Sequence, residues 1–357
     1  MKRCIALIPV AAGLIAWASG CDDAETTTST SSSGSTANGT GGGATSSSAS
    51  SGSGATTTSS STGGGAPVCP GPPYPASPLP PNAKVTAVQG GFDFLEGPVW
   101  FADDQTLFFS DMHFGNDNDP PLNGPKSTMH ALHAGAITDF VDNASTNGLA
   151  IDLAGNILGC THDIRGLSRF DRASKQRTTV LDAYMGKKFN SPNDVVVRSD
   201  GNVYFTDPDW QLNQTSELPM AVYRVAPSGS SVEVVDMLNK PNGVALSPDE
   251  QTLYVGAADG QIRWYAVAAD GTTGPSHPFA SVSGPDGMAV DCAGNVYVAG
   301  GPAVTVFAPD GTEIGKITGM SASATNAAFG GPNRTTLYVT AGDTLYSIEL
   351  GIPGYPY

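Results

Sequence analysis

Charge is what this chain is short of. Only 14% of its 357 residues are Asp, Glu, Lys or Arg, against roughly a quarter in an average globular protein. The shortage falls on the basic side: 17 Lys and Arg stand against 33 Asp and Glu, for a net charge of −16. Binding of nucleic acid needs clustered cations to neutralise phosphates, so that class of partner is excluded. Cysteine is scarce at five residues, with no Cys-x-x-Cys pair and no Cys/His cluster, which argues against a zinc-organised fold. No stretch sustains an apolar period of 3.6 residues, which argues against a helical domain. The chain has no Gly-x-Ser-x-Gly turn and no Ser/His/Asp set in a workable order, so a serine nucleophile of that type is absent. The run Asn116 to Pro120, NDNDP, has the composition of a calcium loop but not the EF-hand spacing.

What is present begins with an address. Residues 1–21 read MKRCIALIPVAAGLIAWASGC, with Lys2 and Arg3 ahead of an apolar stretch from Ile5 to Trp17 that is short for a membrane span. Ala18, Ser19 and Gly20 then lead into Cys21. The segment resembles a bacterial lipoprotein signal, in which the cysteine is acylated and becomes the mature N-terminus; Ala18 departs from the Leu most often found there. An ordinary secretory signal cut nearby is the alternative, and either one exports the protein. The expected location is the cell envelope, on the periplasmic side or outer surface, with the N-terminal lipid as the only membrane contact.

Residues 22–66 are nearly all Ser, Thr, Gly and Ala. Such a tract cannot bury enough apolar surface to offset chain entropy, so disorder is expected, with an r.m.s. reach of about 35–40 Å. A Pro-rich collar, CPGPPYPASPLPP, completes a linker over 22–82, and a folded domain follows over 83–357. With Cys4 lost in the signal and Cys21 acylated, Cys69, Cys160 and Cys292 remain. An odd number leaves at least one unpaired, and Cys69 with Cys292 is the expected bridge because both lie in loop-like sequence.

The folded domain repeats itself. EGPVWFADDQTLFFSD, NGLAIDLAGNILGCTH, NDVVVRSDGNVYFTDP, NGVALSPDEQTLYVGA, DGMAVDCAGNVYVAGG and NAAFGGPNRTTLYVTA share one plan. A polar residue opens a short apolar strand, a tight turn rich in Asp, Gly and Asn follows, and a second strand carries Tyr or Phe. These are hairpin signals. The copies start at Glu96, Asn147, Asn193, Asn242, Asp286 and Asn326, at intervals of 51, 46, 49, 44 and 40 residues. That is the length of a four-stranded propeller blade, so six copies predict an all-β, six-bladed β-propeller behind a disordered Ser/Thr/Gly linker. A monomer is expected.

Equivalent positions of successive blades form a ring around the central channel. The opening residues read Glu, Asn, Asn, Asn, Asp, Asn, all oxygen-bearing and two of them anionic. Two facing carboxylates repel unless a cation lies between them, and oxygen donors suit Ca²⁺, Mg²⁺ or Mn²⁺ better than Zn²⁺. A water-filled channel lined by mutually bonded amides is the plainer alternative.

The segments LEGPVW, NGLAIDLAGNILGCTH, FNSPNDVVVRSDGNVYFTDP, KPNGVALSPDEQTLYVG and GPDGMAVD resemble the gluconolactonase branch of the regucalcin (senescence marker protein)/gluconolactonase/luciferin-regenerating-enzyme family. The resemblance runs through every blade in order. It implies a divalent metal, usually Ca²⁺ with Mg²⁺, Mn²⁺ or Zn²⁺ as substitutes, and hydrolysis of sugar lactones such as D-glucono-1,5-lactone. By the same resemblance Glu96, Asn193, Asn242 and Asp286 are the metal ligands. Asn193 is alternatively a substrate contact, Asn147 is a substrate-binding candidate, and Asn326 is expected to be structural. The chain departs from the family's Cys-Glu-His segment at Cys160, Thr161 and His162. It also inserts a long polar loop, MHFGNDNDPPLNGPKSTMH, after the first repeat, expected over or beside the channel mouth.

For chemistry, Asp286 is the expected general base or, equally, only a ligand. His162 is a second acid–base candidate and His113 a weaker one. Arg165 and Lys187 are either sugar contacts or, preferably, solvated surface, and Asp207 is read as a brace of the inner strand. Two other functions stay open on the same residues: a broader hydrolase of lactones or phosphotriesters, and a tethered propeller that only binds.

Overall fold

The computed structural model describes residues 68–114, 124–227, 229 and 231–355. The signal, Cys21 and the Ser/Thr/Gly tract lie outside the described residues. Every regular element is a β-strand, and the strands form six four-stranded antiparallel sheets. The expected six-bladed propeller is what the chain builds.

Each repeat supplies the two innermost strands of a blade. The inner strands are Leu95–Phe101, Thr146–Ile151, Val195–Val197, Pro241–Leu246, Met288–Val290 and Ala324–Gly330. Blades one to five run outward in chain order. Blade six is closed by a strand from the other end of the domain: Thr86–Gly90 pairs with Thr344–Glu349, with Thr86 opposite Ser347. This circular closure leaves no open blade.

The apolar residues of the hairpins fill six cores, one between each pair of neighbouring blades. Middle strands such as Val203–Asp207 and Val296–Gly300 are therefore covered on both faces, which is why they read as near-continuous apolar runs rather than alternating ones. Aromatic residues of the second and third strands fill these interfaces: Tyr204, Tyr223, Tyr265 and Tyr297 are fully buried. Truncating any of them would cost roughly 3–5 kcal/mol.

Cys69 and Cys292 form the expected disulfide, and Cys160 is buried and free. The collar, read from sequence as the end of the linker, is fastened to the propeller in two further ways. Pro78 accepts a hydrogen bond from Gly351 N–H at 3.0 Å, and Leu79 packs on the core between blades five and six. Apolar collar residues find a surface here, which proline content alone does not reveal.

Candidate active site

The opening residue of each repeat sits where the inner strand begins, and the ladder is irregular there. Register breaks lie between Glu96 and Val99, Thr146 and Leu149, Pro241 and Val244, and Ala324 and Asn326. Such breaks release a residue from strand pairing and re-aim its side chain. Small second residues then let the blades close on the axis. A Cβ on Gly97 (φ +49) would lie 2.2 Å from the Asn147 carbonyl oxygen, and one on Gly243 2.0 Å from that of Asp286. One on Gly287 would lie 1.9 Å from Asn326 Cγ. Glycine is required at these positions, and the chain contacts place the six opening residues in one tight ring.

Glu96, Asn147, Asn193, Asn242 and Asn326 are all buried, and Asp286 is half-buried. The repeat pattern hid a third carboxylate. The second position of the repeats reads Gly97, Gly148, Asp194, Gly243, Gly287, Ala327; in blade three an aspartate takes the place of the glycine. Asp194 is buried, accepts Val244 N–H at 3.1 Å, and stands beside Gly148, whose Cβ would meet its Oδ1 at 2.6 Å. The interruption of the glycine series was the signal that could have found it.

These carboxylates feel one another. Burial pushes Glu96 well above the usual carboxylate range, and Asp286 and Asp194 add repulsion. Asp286 is pushed up to about 8 by burial and by Asp194, against the hydrogen bond it receives from Asn242. Burial raises Asp194 to about 6. No ion pair joins any of the three to a lysine or arginine among the described residues. Asn326 lies inside this cluster: its Oδ1 takes the Ala327 N–H at 2.8 Å, leaving its amide N–H groups for Glu96 and Asp194.

Polar atoms are left over. Both side-chain atoms of Asn147 and Oδ1 of Asn242 are buried without a hydrogen-bond partner among the described residues. A buried amide oxygen left unpaired costs about 1–3 kcal/mol, so these atoms are the ring's candidates for contact with a bound group. The donors are oxygens throughout, and no three of the described His, Cys, Asp and Glu side chains gather as a metal cluster by themselves. Any cation here would draw on amides as well as acids.

His162 lies just outside the ring. It is fully buried, its ring hydrogen-bonds the Pro192 carbonyl, and burial pushes its pKa down to about 4, so it is neutral at pH 7. Pro192 precedes Asn193, which makes His162 a buttress of that strand entry. Asp207 acts nearby: both its oxygens accept Asn190 N–H at 2.9 Å, and burial raises it to about 7. Arg165 is not solvated surface, because it is buried and paired with Glu217 at 3.1 Å. Lys187 is exposed. His113 is partly exposed at the start of the long loop, bonded to Asp93 at 2.6 Å and Thr128 at 3.0 Å.

Residues 115–123 of the long loop are outside the described residues. At Gly124 the chain lies against blades two and three: a Cβ there would meet His162 Cβ at 2.6 Å and the Gln211 carbonyl at 3.2 Å. Beside it Trp210 keeps 38% of its surface exposed, with Lys240 Nζ 5.6 Å from its ring centre and 2.8 Å from Asp209. Lys240 stands two residues before Asn242, so this aromatic edge rises next to the ring.

Residues 94–343 match the model of the SMP-30/gluconolactonase/LRE-like region. The chain belongs to this family. It is 28% identical over 302 residues to a gluconolactonase of Zymomonas mobilis, covering 75% of this chain and 82% of that one. A pentonolactonase of Haloferax volcanii is 27% identical over 259 residues, covering 69% and 80%. Among solved structures, a gluconolactonase of Xanthomonas campestris superposes with a TM-score of 0.66 at 32% identity, covering 79% of this chain and 99% of that one. The matched residues include strands of all six blades and the whole ring.

Proposed function

We propose that this protein is a lactonase that opens sugar lactones of the D-glucono-1,5-lactone type with a divalent cation at the ring. One observation carries the reading: Glu96 and Asp194 are buried beside half-buried Asp286, near enough for Asp194 and Asp286 to raise Glu96, with no lysine or arginine paired to them among the described residues. Its relatives include lactonases for hexose- and pentose-derived lactones, which supports the reaction class.

The donor set fits a hard cation. Glu96, Asn193, Asn242 and Asp286 would hold it; Ca²⁺ suits them first, Mg²⁺ and Mn²⁺ next, and Zn²⁺ least. When bound, such an ion neutralises the carboxylates and polarises a carbonyl as a Lewis acid. The chain's own residues do the rest. Asn242, donating to Asp286, orients that carboxylate. Asp286 accepts a proton from the attacking water as the water oxygen bonds to the lactone carbonyl carbon. The ring C–O bond then breaks, and the same proton passes to the departing alkoxide oxygen to give the hydroxy acid. The unpartnered amide of Asn147 offers a donor and an acceptor to a sugar hydroxyl, and Asn193 sits beside it. His162 positions Asn193 through Pro192 rather than exchanging protons itself.

The test is hydrolysis of D-glucono-1,5-lactone followed by pH-stat, with Ca²⁺ and with EDTA. Turnover abolished by chelator and restored by Ca²⁺ is expected. Turnover indifferent to chelator would overturn the role of the cation, and no turnover of any sugar lactone would overturn the reaction. The exported, Cys21-acylated form belongs to the same reading, and a disulfide suits an oxidising compartment. Under it Cys21→Ala releases the protein from membrane fractions; unchanged fractionation would sink the anchor.

A further inference from the structure

The ring closes at Asn326. Around the axis it stands between Asp286 of blade five and Glu96 of blade one, so the two acids of the opening positions flank it. Contacts of its neighbours fix that place. The Thr325 hydroxyl donates to the Leu95 carbonyl at 2.7 Å, and the Thr325 carbonyl accepts Gly287 N–H at 2.7 Å. Residues 325 and 326 are thereby seated between the strand entries that carry Glu96 and Asp286. A Cβ on Gly287 would come within 1.9 Å of Asn326 Cγ, so the amide packs directly on the residue after Asp286.

The amide is oriented as well as placed. Asn326 Oδ1 accepts Ala327 N–H at 2.8 Å, and its own N–H donates to Thr340 Oγ1 at 3.0 Å. With the oxygen turned to the backbone, the NH₂ group is what remains for the ring, and it carries two donors and no lone pair for a cation. Burial raises Glu96 and Asp194, and a hydrogen bond from Asn326 acts against that rise at both.

The floor of the ring offers little else. Beneath it the channel continues as a cavity of about 130 Å³, walled by apolar residues such as Val99, Val196, Val290 and Phe329. Asp194 and Asn326 are the ring residues that line it. Besides Asn326, Asp194 has only backbone N–H groups as donors, those of Val244 and Val195. A buried carboxylate that loses a donor keeps the full cost of its desolvation.

We propose that Asn326 is a positioning residue of the ring: its NH₂ group bridges Glu96 and Asp194 and holds both carboxylates in place, and it is not itself a cation ligand. Its effect on turnover rests on the lactonase reading above; its hold on the carboxylates does not.

The experiment compares melting temperatures in EDTA and in Ca²⁺ at one pH. Asn326→Asp keeps the side-chain outline and the oxygen for Ala327 but replaces two donors by an acceptor. It should melt at least about 5 °C below the unsubstituted protein in EDTA and recover most of that loss in Ca²⁺. Asn326→Leu removes the donors without adding charge, so its loss in EDTA should be smaller. It should be only partly recovered, because the Ala327 N–H also goes unpaired. With Ca²⁺ saturating, Asn326→Asp should lower kcat for D-glucono-1,5-lactone about ten-fold and leave KM unchanged. Unaltered melting of Asn326→Asp in EDTA would overturn the proposal, as would an equal loss in EDTA and in Ca²⁺. A change confined to KM would also overturn it, making Asn326 a substrate contact. Absence of any Ca²⁺ effect on the unsubstituted protein would sink the cation reading, and the EDTA comparison would still decide the hold on the carboxylates.

Discussion

The two ends of the central channel are built from the same six strands and differ in chemistry. At the ring, burial raises the pKa of Glu96 and of Asp286; Asp286 and Asp194 add to the first, and Asp194 to the second. Toward the far end the wall is apolar, and the Arg334 guanidinium is partly exposed, with Nη2 on the Val68 carbonyl. About four residues of extended strand, on the order of 13 Å, separate them. Symmetry explains the frame but not the chemistry, because each end depends on residues that break the repeat: Asp194 above, Arg334 below.

The largest expected effect is at the ring. Glu96→Gln and Asp286→Asn should each lower lactone turnover by at least about 10³-fold and remove the rise in melting temperature that Ca²⁺ confers. Either variant keeping near-native turnover in the pH-stat assay would mean that the carboxylates are not the reactive group. The far end should be separable from this. Cys292→Ser frees the collar and should cost about 2–4 kcal/mol in denaturant unfolding, while turnover changes less than about two-fold. A large loss of turnover at unchanged stability would instead join the two ends.

His162 tests the buttress of the ring through pH. Its pKa is about 4 in the folded chain against 6.5 in the open one. The unfolded state therefore binds more protons between those values, and stability falls as pH drops from 6.5 toward 4. The contribution reaches about 3 kcal/mol at the acid end. Acid unfolding of His162→Gln should show a correspondingly shallower slope in that window; an unchanged slope would refute the assignment. The smallest effect belongs to Trp210. Trp210→Ala should raise KM for D-glucono-1,5-lactone about three- to ten-fold and leave γ-butyrolactone nearly unaffected, because only the bulkier ring reaches the aromatic edge. Equal changes for both substrates would remove Trp210 from the site.

Much of this was legible in the sequence because a propeller must solve one packing problem six times. Each blade needs the same hairpin and the same aromatic, so the repeat shows the blades, and the position that opens each strand shows the ring. Asp194 escaped because the second position is a small packing residue, Gly or Ala, in the other five blades. The cavity escaped for another reason: Val99, Val196 and Val290 look like any other core valine, and only closure of the circle leaves space between them. Arg165 was misjudged because a lone arginine in a turn gives no hint that Glu217, 52 residues on, will pair with it. The closing strand Thr86–Gly90 carries no copy of the repeat, so nothing in its own sequence assigned it to blade six.

That closing strand sets the order of events when the protein is made. Residues 86–90 emerge first, yet their hydrogen-bonding partners, residues 344–349, come about 260 residues later. Until then blade six cannot form, and the edges of the incomplete circle stay open to foreign strands. Contacts at such sequence separation form slowly, so closure is the late step, and the circle is complete only once residues 344–349 are free to pair.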